Sequence, residues 1–227
     1  MDWLLSARRG NLDLLLDAVN PRLGEPAYYD VFARAGGEVA GRGRLEVSTF
    51  HFSDDIRFTQ EEDGATSRVN NQYLWAKWTT EADGLIQQTV FSTGKVDRRH
   101  TGYADDCDRL EGSVLDVVHL RTNTITHDSE WGRGPQLRIL AVGTLRQQRM
   151  EYETDIDAVR GSVALALGQP EIIDREFART WSGISSALHV SARYQPSTIL
   201  TIEGGIRLDH QNFRSAHAGE RRRDQQP

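Results

Sequence analysis

Apolar and polar residues alternate at period two through much of this chain, and the alternation is cleanest near its C-terminal end. Over Leu200–Asp209, Leu200, Ile202, Gly204, Ile206 and Leu208 share one face, while Thr201, Glu203, Gly205, Arg207 and Asp209 share the other. The segment before it repeats the pattern, with Ile184, Ser186, Leu188, Val190 and Ala192 opposed to Gly183, Ser185, His189, Ser191 and Arg193. Such segments read as strands with one apolar and one polar face. Two others are less regular. Tyr73, Trp75 and Lys77 oppose Leu74, Ala76 and Trp78, and Leu137–Leu145 is apolar on both faces at its centre.

The same reading predicts an all-β chain, an antiparallel up-and-down sheet of about nine strands: Asp2–Arg9, Tyr28–Val39, Arg44–Arg57, Thr66–Thr79, Leu85–Arg98, Ser113–His127, Gln136–Glu153, Ala178–Tyr194 and Ile199–Phe213. Short turns are expected at Ala40–Gly43, Thr80–Gly84, Asp128–Pro135 and Gln195–Thr198, where Gly, Asp-Gly and Pro supply turn geometry. Long links are expected at Gly10–Ala27, Phe58–Ala65, around Gly102–Asp108, and at Thr154–Phe177. Helical turns are expected within Asn11–Val19 and Val163–Leu167, and a polar disordered tail over Arg214–Pro227. Most strands exceed ten residues, against five or six in ordinary soluble strands. Long strands joined alternately by short and long links are the mark of an outer-membrane β-barrel.

Composition leaves that fold class open. Mean hydropathy is −0.55, and no run approaches the ~18 apolar residues of a membrane helix. A barrel needs no such run, because only alternate residues meet lipid. Tyr28, Tyr29, Phe50, Phe52, Trp75, Trp78, Trp181 and Tyr194 fall near strand ends, the positions of an interfacial aromatic girdle. Net charge is −6, and the only basic run, Arg221–Arg223, lies in the polar tail, so no nucleic-acid partner is expected.

The chemistry of catalysis is not apparent. Cys107 is the single cysteine, so no intrachain disulfide forms. His51, His100, His119, His127, His189, His210 and His217 lack zinc-ligand spacing. No nucleophile elbow, phosphate loop or dinucleotide fingerprint is present, and no carboxylate pair stands out. No catalytic, cofactor-binding or metal residue is assigned, and the chain reads as a non-enzyme. Asp54, Asp55, Glu61, Glu62 and Asp63 near one link, and Asp105, Asp106 and Asp108 near another, are acidic groups that could attract a cationic ligand.

Three stretches carry a family resemblance. Trp3-Leu4-Leu5-Ser6-Ala7-Arg8-Arg9-Gly10-Asn11-Leu12-Asp13-Leu14-Leu15-Leu16 resembles the opening of the barrel in TonB-dependent outer-membrane receptors. Tyr28-Tyr29-Asp30-Val31-Phe32-Ala33-Arg34 resembles their next strand, and Thr89–Arg99 a later one. The ordered likeness covers residues 1–213. It implies part of a barrel wall in the bacterial outer membrane, contacting lipid. The whole receptor would import a scarce nutrient such as a metal chelate, using energy from TonB acting on a plug domain. The family barrel has 22 strands, precedes them with that plug, and ends on an aromatic residue. The chain also opens without signal-peptide features. The expectation is therefore a non-functional fragment. A passive porin-like barrel and a soluble β-sheet ligand-binding protein are the alternatives.

Overall fold

The computed structural model describes residues 1–10, 25–60, 63–106, 110–133 and 136–222. Among them are nine strands: β1 (Asp2–Gly10), β2 (Glu25–Glu38), β3 (Arg44–Gln60), β4 (Asp63–Ala82), β5 (Leu85–Asp106), β6 (Leu110–Arg133), β7 (Leu137–Arg160), β8 (Ile172–Ser197) and β9 (Leu200–Arg222). One short helix, α1 (Ser162–Ala166), lies between β7 and β8. Each strand pairs antiparallel with its sequence neighbours in one up-and-down sheet, ordered β1 to β9. The all-β, up-and-down expectation holds. The sheet is not closed: β1 and β9 are its two edges.

The turns follow from local backbone chemistry. Asp83 and Gly84 both have positive φ (49° and 75°), the geometry that matches a two-residue hairpin to the twist of its strands. Ala40 and Gly41 do the same between β2 and β3, where the Val39 amide donates to the Gly43 carbonyl.

The strands run further than the alternation predicts, mostly at the end away from these turns; β4, β6 and β8 also continue into the expected turns, to Ala82, Arg133 and Ser197, because ladder pairing there tightens each link. β3 and β4 stay paired from Arg44↔Thr79 to Gln60↔Asp63, so most of Phe58–Ala65 is ladder. β5 reaches Asp106 and β6 begins at Leu110, so the link there shrinks to three residues. β9 continues past Phe213 to Arg222, which faces Arg175 across the ladder, so Arg214–Arg222 extends the sheet. The helical turn expected near residue 163 is α1. The helical turns expected within Asn11–Val19 lie outside the described residues.

Registers assign every residue to a face. On the face carrying Leu188, the turn end is apolar: Trp3 and Leu5 on β1, Leu45 and Val47 on β3, Leu145 on β7, Ile184, Leu188 and Val190 on β8, and Ile202, Ile206 and Leu208 on β9. This band drifts steadily across the sheet. Leu5, mid-band on β1, shares its row with Asn212 on β9, reached through Ala33, Thr49, Leu74, Thr93, Asn123, Gln147 and Ile184. The band on β9 is centred at Gly205, seven residues nearer the turns after eight strand steps. At ~3.3 Å per residue and ~4.8 Å per step, the band is inclined to the rows by about 30°.

The aromatic side chains beside the turns give a second estimate. Trp78 on β4 shares a row with Thr89, His127, Gly143 and Leu188; Tyr194 on β8 lies six residues nearer the turns after four steps. Trp131 on β6 falls between them, and the slope is about 45°.

Very little of the chain is enclosed. Among the described residues Ala158 is the one buried apolar residue, whereas Ile206 is 73% exposed and Leu208 64%. Total accessible surface is 16209 Å². A compact globular protein of this mass, 25.6 kDa, exposes about 10,400 Å². Among the described residues the sheet is a single layer, and none of them covers its apolar face.

Candidate functional site

The two faces exchange character along the strands. On the opposite face, which carries Arg207, the turn end is largely polar and rich in charge. Glu46 on β3 stands between Arg34 of β2 (3.7 Å) and Lys77 of β4 (3.3 Å). Arg138 and Glu130 pair at 2.5 Å across β6 and β7, and Arg207 pairs along its strand with Asp209 at 2.8 Å. Leu140 and Val142 of β7 interrupt this polar lining, the two-faced apolar segment seen in the sequence. Towards the far end the Arg207 face becomes richer in apolar and aromatic groups, set around the ion pairs Arg8–Asp30 and Arg98–Asp116. Phe50 and Tyr73 stack at 6.4 Å, Phe32 and Trp75 meet at 6.0 Å over the small Ser48, and Tyr152 and Phe177 meet at 5.8 Å. Ser48 is consequently only 2% exposed. There the Leu188 face turns mostly polar, with Asp55, Arg68, Lys95, Asp97, Arg121, Arg149 and Glu151.

Where the Arg207 face changes character, a cavity of about 410 Å³ opens, floored by Tyr73, Trp75, Val96 and Leu120 and edged by Thr122, Arg146 and Gln148. Its depth comes from a glycine. Gly94 faces Tyr73 directly across the ladder, and an added Cβ would stand 2.9 Å from the Tyr73 ring. Gly10–Tyr28 and Gly183–Phe213 repeat the arrangement, an aromatic ring lying over a glycine of the neighbouring strand. The cavity pairs an aromatic floor with one guanidinium and one amide, a composition suited to holding a ligand by stacking and hydrogen bonds.

The expected aromatic girdle is corrected by these registers. Tyr29, Trp78 and Tyr194 stand on the Leu188 face, together with Trp131, which the sequence analysis passed over. Tyr28, Phe50, Phe52, Trp75 and Trp181 stand on the Arg207 face, because their positions have the other parity in register. Trp75 lines the cavity, Phe50 stacks on Tyr73, Tyr28 lies over Gly10, and the Arg179 guanidinium stands 5.1 Å from the Trp181 ring.

The described acidic residues of the two links form no group of three carboxylates. Asp55 is engaged by Arg68 (2.7 Å) and Arg57 (3.4 Å). Asp63 accepts the Asp105 amide at 3.1 Å. Glu61, Glu62, Cys107 and Asp108 lie outside the described residues, as does the side chain of Asp106. Among the described residues no group of three metal-ligating side chains is present. The histidines are dispersed: His51 sits 6.0 Å from the Tyr29 ring, His127 bonds Thr89 and Ser129, and His119 meets Asp97 at 2.6 Å.

Two titrating groups beyond the apolar band are displaced. Partial burial pushes the Asp97 carboxyl up, but hydrogen bonds from Lys95 and His119 outweigh it, so its pKa falls below the ordinary value. A hydrogen bond to the Asp116 carboxylate, aided by partial burial, raises the Tyr152 phenol. Asp116 in turn accepts from Arg98 at 3.3 Å.

No helix of the described residues is long and apolar enough to cross a membrane. No protein family, curated protein or solved structure matches the chain.

Proposed function

We propose that the chain is part of the wall of an outer-membrane β-barrel, of the kind used by TonB-dependent receptors. The observation that carries this reading is the exchange of polarity between the two faces. A strand that crosses a bilayer and projects beyond it needs lipid-compatible side chains outside and hydrated ones inside at membrane depth. Past the membrane it meets water outside and can pack apolar groups inside. The inclined band supports the same reading, since its two slopes, about 30° and about 45°, span the 35–45° tilt of barrel strands. Trp78, Trp131 and Tyr194 follow the slope at the turn end, where interfacial aromatics belong. In water the exposed Leu188 face would be an association hazard.

On this reading the Arg207 face is the lumen, and the cavity above Tyr73 and Trp75 is a binding surface for an imported small molecule. Work is done by binding and gating, with no bond broken. The receptor assignment itself rests on the residues quoted for the family resemblance.

Flotation of the full chain with phospholipid vesicles tests the membrane reading: it should float and resist extraction with urea. A soluble monomer without detergent would overturn it and favour a soluble ligand-binding sheet. The DNA flanking the reading frame tests the receptor assignment. A plug-encoding segment upstream is expected, and unrelated sequence on both sides would contradict it.

A further inference from the structure

We infer that the Leu188 face carries a binding site for the phosphate of an anionic lipid, formed by Lys95, Arg121 and Arg149. The three cations are direct cross-strand partners on β5, β6 and β7. Like charges placed opposite one another destabilise a sheet, so such a row calls for an anionic counterpart. Two carboxylates answer it in part. Lys95 meets Asp97 at 2.5 Å and Arg149 meets Glu151 at 2.8 Å, each two residues along its own strand. Arg121, between them, is exposed and has no hydrogen-bond or ion-pair partner among the described residues. Lys95, Arg121 and Arg149, with His119 and the Glu151 carboxylate, border a cavity of about 230 Å³.

The rows beneath give the ligand its shape. One same-face step towards the turns lie Thr93, Asn123 and Gln147, again direct partners; one step further lie Phe91, Ile125 and Leu145. The sheet thus presents an apolar row, a neutral hydrogen-bonding row and a cationic row in order. A phosphorylated lipid presents acyl chain, ester or sugar, and phosphate in that order. Four residues separate the apolar and cationic rows, about 13 Å along the strand and about 10 Å in depth at a 40° tilt. Long basic side chains reach back from there to the headgroup layer.

The inference rests on the membrane reading, and the test separates the two. The full chain is inserted into phosphatidylcholine vesicles with or without dioleoyl phosphatidic acid, and bound lipid is read by native mass spectrometry after detergent extraction. Urea-resistant flotation is scored on the same samples, and inorganic phosphate is titrated in parallel. We expect phosphatidic acid to be retained over phosphatidylcholine. Arg121→Gln should cut retention about fivefold and the triple Gln variant more than about fiftyfold, at about 1 kcal/mol per cation. Arg121→Lys should restore most of it, and inorganic phosphate alone should bind far more weakly, lacking the acyl rows. Insertion without lipid preference, or preference intact in the triple variant, overturns the site and leaves the membrane reading standing. Equal binding of free phosphate would reduce the site to an anion site and overturn its lipid character. Failure to insert overturns both.

Discussion

At the scale of single residues, small side chains create most of the specific geometry. Gly94 lets the Tyr73 ring close over β5 and opens the cavity beside it. Gly94→Val should cost about 1–3 kcal/mol by overpacking, read as a lowered denaturation midpoint of the detergent-folded chain. Asp97 carries a pH-dependent contribution. Its carboxyl is depressed below the ordinary value of 3.8, so the stabilisation is present above that value and is lost as pH falls through the lower folded-state pKa. The stability gap between the protein and Asp97→Asn should be full near about pH 6 and close as the solution is acidified through the carboxylate range. A gap that widens in acid would contradict the hydrogen bonds from Lys95 and His119 as its source.

At the scale of elements, the hairpins and the alternating faces make separate demands. Gly84 sits at φ 75° with the Gly132 carbonyl 2.7 Å from any added Cβ. Gly84→Ala should therefore lose at least the ~1–2 kcal/mol of left-handed backbone, measured by urea titration. If the Leu188 face meets lipid, Leu188→Arg should cost about 2–4 kcal/mol in vesicles, and a charge on the other face, His189→Glu opposite Arg207, close to nothing. The strands themselves were legible in the sequence because period-two alternation is strong where one face is apolar. Their far ends were not, because the Leu188 face loses its apolar residues there while backbone pairing continues. Gln60↔Asp63 and Arg175↔Arg222 are ladder pairs with no hydropathy signal. The faces of Phe50, Trp75 and Trp181 were equally hidden, since parity between strands depends on register. So was the Lys95–Arg121–Arg149 row, whose members lie 26 and 28 positions apart in sequence and become neighbours only through pairing.

At the scale of the whole molecule, a single open layer explains the large accessible surface and the scarcity of buried apolar side chains among the described residues. Both edges present unpaired backbone groups, which in hydrocarbon cost several kcal/mol each. The membrane account therefore requires further strands or another chain against β1 and β9, and the polarity exchange requires lipid outside and water inside at the turn end. The most direct measurement places single cysteines in a Cys107→Ser background at Ile206 and at Arg207, neighbours on β9 that face opposite ways. Each is labelled with an environment-sensitive fluorophore in vesicles carrying nitroxide lipids. The account predicts a blue-shifted, lipid-quenched label at 206 and a water-exposed, unquenched label at 207. Equal quenching at both positions, or at neither, would contradict it.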